Sequence, residues 1–135
     1  KAMAVSERFG DHLVIGAATL VFLDGSPLAK PADLEEARLM LSRLSGRIHE
    51  VVTGVCLVLA HASRLRILSE VSYVKFRPLD DAIITTYLSR VDVLDKAGAY
   101  AVQEHGDLII ERVEGSLSNV IGLPVEAVKA ALERW

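Results

Sequence analysis

The chain has 135 residues, 51% of them hydrophobic, a mean hydropathy of +0.34 and a formal charge of −3 from 15 basic and 18 acidic residues. That is too apolar for a disordered chain, and too evenly charged to draw duplex nucleic acid or anionic lipid by generic electrostatics. Its longest nearly unbroken apolar run, residues 51–60, is about half of what a membrane span requires, so neither nucleic acid nor membrane is expected as a partner.

One domain over residues 1–135 is expected from the length and from the lack of any repeat or linker. The opening KAMAVSERFG has no apolar h-region, and the one cysteine, Cys56, cannot form an internal disulfide, so a cytoplasmic location is the expectation.

In chain order, Ala2, Val5 and Phe9 recur at helical spacing and Gly10 supplies a stop, which predicts the tail of a helix. Residues 12–23 are rich in Leu, Val and Ile and close on Asp24-Gly25, which predicts a buried strand and a tight turn. Residues 31–44 place Leu34, Ala37, Leu41 and Leu44 on one helical face between Pro31 and Gly46. Residues 51–60 are apolar on both faces and predict a central strand covered on both sides. Residues 65–76 alternate, and the short link around Ala62 and Ser63 predicts a hairpin between these two strands.

Asp80 and Asp81 are suited to cap a helix carrying Ile83, Ile84, Tyr87 and Leu88. Residues 95–106 have no period and hold two glycines, which predicts a functional loop. A short strand over 108–113 and a last helix opened by Pro124, with Val125, Val128, Leu132 and Trp135 in phase, complete the chain. Strands and helices mixed without strict alternation predict an α/β class with a mixed sheet flanked by helices.

Generic catalytic motifs are missing. There is no GK[ST] phosphate loop, no GxGxxG, no HExxH, no CxxC and no GxSxG, and His12, His49, His61 and His105 have no metal-ligand spacing. Five ordered blocks carry the functional signal: VIGAATLVFLDGSPLAKP at 14–31, LSRLSGRIHEVVTGV at 41–55, VKFRPLDD at 74–81, DKAGAYAVQ at 95–103 and VEGSLSNVIGLP at 113–124. Together they resemble the Maf family of nucleoside triphosphate pyrophosphatases, across essentially the whole chain and in the family's order.

The resemblance implies a Maf/ITPase-like fold and hydrolysis of a nucleoside triphosphate to monophosphate and pyrophosphate, with a divalent cation, magnesium or manganese. It also implies a homodimer and a link to arrest of septum formation. Lys30 matches the lysine of the family's G-K-P block, suited to neutralise phosphate. Thr19 and Gln103 match positions that separate the family's branches, and this pair is the pattern of the dTTP/UTP branch. Asp95 and Lys96 match the D-K-A-G-A-Y block, with Lys96 placed to reach phosphate and Asp95 to orient it. Arg47 is a cleft candidate, and a structural role is open to both it and His49. Asn119 is expected to tether a turn through backbone hydrogen bonds.

Three departures qualify the activity. Ala18 stands where the family's V-I-G-A-D-T motif has its catalytic aspartate, and a methyl group can neither take a proton nor bind a cation. Loss of a general base lowers rate by ~10²–10⁴. No counterpart of the family's opening S-x-S-P-R-R loop, first strand or acidic metal residue occurs in the sequence, which predicts an N-terminally truncated chain with an open sheet edge or an apolar groove. Ile48 replaces the Thr of S-G-R-T-H-E. The expected function is therefore a dTTP/UTP pyrophosphatase impaired in this copy. The alternative is a non-catalytic nucleotide-binding or dimerising remnant with a regulatory role in cell division.

Overall fold

The computed structural model describes residues 12–59 and 64–134, together with Ala2. The helix expected over residues 1–9 lies outside the described residues apart from Ala2, and so does the link around Ala62 and Ser63.

Strand β1, Val14–Leu23, runs into the Asp24-Gly25 turn and pairs back with β2, Ser26–Leu28. Both turn residues have positive φ, 51° and 79°, the backbone that a two-residue hairpin turn demands and that Asp-Gly supplies. Helix α1, Leu34–Leu44, follows. It starts three residues after Pro31 because Asp33 is the cap, its carboxylate accepting the Glu36 amide at 2.8 Å. Ala37, Met40, Leu41 and Leu44 form its buried face, whereas Leu34 is exposed.

Strands β3, Ile48–Leu59, and β4, Arg64–Phe76, form the expected hairpin, in register from Ile48 against Lys75 to Leu59 against Arg64. Helix α2, Asp81–Arg90, is capped by Asp80. Two short 3-10 turns, Ala97–Ala99 and Gly106–Leu108, lead to β5, Ile110–Glu114. The chain closes with α3, Leu117–Ile121, which the sequence reading did not anticipate, and α4, Val125–Glu133, which begins after Pro124 as expected.

The sheet order is β2-β1-β3-β4-β5. The α/β class stands, but every pairing among the described residues is antiparallel, where a mixed sheet was expected. Since β3 is central, the inward parity of all three long strands follows from it: Thr19, Val21 and Leu23 on β1 share a face with His49, Val51, Thr53 and Val55 on β3. Val21, Leu23, Val51, Val74 and Phe76 pack there with Leu41 and Leu44 of α1 and Ile84 and Tyr87 of α2. A smaller cluster places Val128 of α4 over Val55 and Leu57.

The opposite face is largely exposed, although Val58 on it is buried. Leu20, Leu65, Ile67, Val71 and Tyr73 are exposed on it, so β3 is not covered on both sides as expected, and β1 is buried only toward its C-terminal end. Ala2 touches this face at Gly16, where an added Cβ would come within 2.9 Å of the Ala2 methyl. Among the described residues no strand pairs with the other edge of β1 before Val21.

Candidate functional site

A cavity of about 490 Å³ opens where the inward face of β1 meets the loop after α2 and the end of α3, a size suited to a small-molecule ligand. It gathers five of the residues singled out from sequence: Thr19, Lys30, Asp95, Lys96 and Gln103.

Local chemistry brings them together. Thr19 faces inward because it shares the parity of Val21 and Leu23 on β1. Lys30 follows β2 and is exposed, and among the described residues no carboxylate pairs with it. Beside it the Gly98 amide donates to the Ala29 carbonyl at 3.3 Å, which ties the 95–103 loop to the segment bearing Lys30. Gly98 has φ 73°, and a Cβ there would sit 3.2 Å from a Val21 methyl, so both backbone and space call for glycine.

Lys96 is the charged centre of the loop. Its ammonium lies 3.3 Å from Asp95 Oδ1 and 3.5 Å from Glu104 Oε2. Burial acts to lower its pKa, but the hydrogen bonds and charges of Asp95 and Glu104 outweigh that and hold it above the ordinary lysine value. The Lys96 side chain therefore stays an ammonium at neutral pH, pointed at the same cavity as Lys30.

Two tyrosines hold the loop from beneath. The Tyr87 hydroxyl accepts the Ala101 amide at 3.0 Å and donates to the Ala101 carbonyl at 3.2 Å, satisfying both backbone groups of one residue. Burial pushes its pKa up to about 12, so it remains a neutral donor. Tyr100 lines the cavity and bonds His49 Nε2 at 2.7 Å, with Phe76 edge-on to both rings. His49 is buried and, by desolvation, its pKa falls to about 4, so its imidazole is neutral. His49 thus sits in the aromatic cluster behind the cavity, with its Nδ1 buried and without a hydrogen-bond partner among the described residues.

The remaining candidates fall elsewhere. The Arg47 guanidinium is exposed and pairs with Asp24 rather than lining the cavity. Ala18 projects to the face opposite Thr19, where it is exposed beside a separate groove of about 400 Å³ with Gly16, Gly54, Cys56 and Ile67. Asn119 does not tether a turn. It is fully buried in α3, and the two hydrogens of its Nδ2 are shared among the Val51 carbonyl at 3.1 Å, the Glu70 carbonyl at 3.2 Å and Ser72 Oγ at 3.0 Å, pinning the helix across β3 and β4. Carbonyls can only accept, which fixes the orientation of its amide.

A resident metal ion does not fit this donor set. Among the described residues no three His, Cys, Asp or Glu side chains converge, and the cavity carboxylates Asp95 and Glu104 are both engaged with Lys96.

The family model described as "Maf-like protein" matches residues 1–135. A dTTP/UTP pyrophosphatase of Akkermansia muciniphila is 52% identical over 133 residues, covering 98% of this chain and 69% of that protein. Proteins of the same name from Syntrophomonas wolfei and Pyrococcus furiosus are 44% and 41% identical, covering 99% and 98% of this chain and 71% and 69% of their own lengths.

Proposed function

This chain belongs to the Maf-like family, and we propose that it is a dTTP/UTP pyrophosphatase by descent whose cavity takes the triphosphate and whose turnover is impaired by Ala18. The observation that carries this reading is the convergence of Thr19, Lys30, Lys96 and Gln103 on one cavity, together with relatives that bear the name dTTP/UTP pyrophosphatase. Lys30 and Lys96 neutralise phosphate oxygens, Thr19 and Gln103 meet the base, and Asp95 holds Lys96 in place. Hydrolysis adds water across the anhydride between the α and β phosphates and yields monophosphate and pyrophosphate. Water needs a base for that step; Ala18 carries no carboxylate and faces the neighbouring groove rather than the cavity, and Asp95 and Glu104 are engaged with Lys96.

Magnesium or manganese enters this reading only as company of the triphosphate, held by its oxygens. No step depends on a resident ion. Residues 1–135 form one Maf-like domain in this proposal, acting as a cytoplasmic homodimer tied to control of septum formation. The alternative, a nucleotide-binding regulator of division without turnover, is favoured by the placement of Ala18 on the face away from the cavity.

The test is calorimetry with dTTP, UTP, dATP and dGTP, run beside a pyrophosphate-release assay with magnesium or manganese. Binding that favours dTTP and UTP, with release at background, is expected. Ala18→Asp alone should leave release at background. The same change in a chain extended by a relative's opening segment should raise release by ~10²–10⁴, and Lys30→Ala should lower it again. Robust turnover by the unmodified chain, or preference for purines, overturns the reading.

A further inference from the structure

Thr53 stands directly opposite Thr19 in the β1–β3 register and is fully buried. Its hydroxyl oxygen lies 3.0 Å from Thr19 Oγ1 and 3.2 Å from the Asn119 carbonyl. Thr19 Oγ1 also lies 3.5 Å from the Gly122 carbonyl. Each hydroxyl has one hydrogen to give, and the two carbonyls have none.

The Thr53 hydroxyl donates to the Asn119 carbonyl at 3.2 Å, so the 3.0 Å contact between the threonines is made by the Thr19 hydrogen. In that arrangement the Thr19 hydrogen points into the protein and a lone pair is left toward the cavity. Turning the Thr19 hydrogen outward requires Thr53 to swing its own hydrogen from Asn119 to Thr19, which gives up the bond between β3 and α3.

We infer that Thr53 is a positioning residue that fixes Thr19 as a hydrogen-bond acceptor, so that the cavity selects a ligand presenting an N–H at this point, such as the imide N3–H of thymine or uracil. Cytosine presents a ring-nitrogen lone pair at the corresponding atom and meets lone pair with lone pair. Gln103, with both a donor and an acceptor, accommodates either neighbouring group and cannot make this distinction alone. The inference rests on the nucleotide reading above and adds the residue that sets its polarity.

The experiment titrates dTTP, N3-methyl-dTTP, dCTP, dATP and inorganic pyrophosphate into the unmodified chain, Thr53→Val and Thr53→Ser. In the unmodified chain and in Thr53→Ser, dTTP is expected to bind roughly tenfold tighter than either N3-methyl-dTTP or dCTP. In Thr53→Val both ratios shrink toward one while pyrophosphate affinity holds, which separates lost polarity from a damaged fold. Equal binding of dTTP and its N3-methyl analogue, ratios kept by Thr53→Val, or ratios lost in Thr53→Ser each overturn the inference. Equal binding of dTTP and dATP by the unmodified chain removes the pyrimidine reading itself, and the inference with it.

Discussion

The two faces of the sheet are made of the same three strands and are nearly equal in apolar content, yet they have opposite fates. On the covered face Val21, Val51 and Val74 pack under α1 and α2, and a polar row through Thr19, Thr53, Ser72 and Asn119 interrupts them. On the open face Leu20, Ile67 and Val71 remain exposed, Ile67 at 74%. The difference teaches that buried polar atoms gather on the face that holds the cavity. They survive burial because the Thr19, Thr53 and Ser72 hydroxyls and the Asn119 Nδ2 have partners, although Asn119 Oδ1 has none among the described residues, and the cavity sits at the end of that row.

The largest blow to the covered face should come from Asn119→Leu, which removes the side-chain hydrogen bonds pinning α3 to β3 and β4. A loss of about 3–5 kcal/mol is expected by chemical denaturation; a loss under about 1 kcal/mol would show that packing alone seats the helix. Next is acid. His49 binds its proton less readily folded, near pH 4, than unfolded, near 6.5, so the unfolded state gains protons first as pH falls. Stability should decline from about pH 6.5 to about pH 4 by up to ~3 kcal/mol, and His49→Gln should flatten that part of the profile.

A smaller effect is expected from Tyr87→Phe, which frees both backbone groups of Ala101. About 1–2 kcal/mol of stability should go, with faster amide exchange in residues 95–103 and weaker nucleotide binding. On the open face Ile67→Lys should change stability by less than about 0.5 kcal/mol. A larger loss there would mean that something covers this face in solution and that the contrast between faces is narrower than drawn.

Much of this was legible in the chain. The Asp24-Gly25 turn, the Asp80 cap, the β3–β4 hairpin and the irregular loop after α2 follow from local chemistry, and local chemistry is what sequence encodes most directly. Thr19, Lys30, Asp95, Lys96 and Gln103 were found through ordered blocks rather than periodicity, and they do share a cavity. Thr53 is hidden inside an apolar run, where its parity with Val51 and Val55 is the available signal. Tyr87 looked like one more core residue of α2, since nothing in the sequence ties it to Ala101. Alternation in β4 separates Leu65, Ile67, Val71 and Tyr73 from Leu68, Ser72 and Val74, but the more apolar set is the exposed one. Which side a sheet buries is decided by where helices land, and that lies beyond any single strand.

The sheet order has a consequence for how the chain assembles. Going outward from β3, one neighbour is β4, the next strand in the chain, and the other is reached by returning across β2 and α1 to β1, while β5 joins across α2. Strands adjacent in space are thus close in sequence, and the entropy of closing each successive loop grows only slowly with its length. Folding can begin with the β3–β4 hairpin and spread to both edges, with no parallel crossover to wait for. Asn119, arriving on α3 after both of those strands, would then tie the last part of the chain across the pair it joins late.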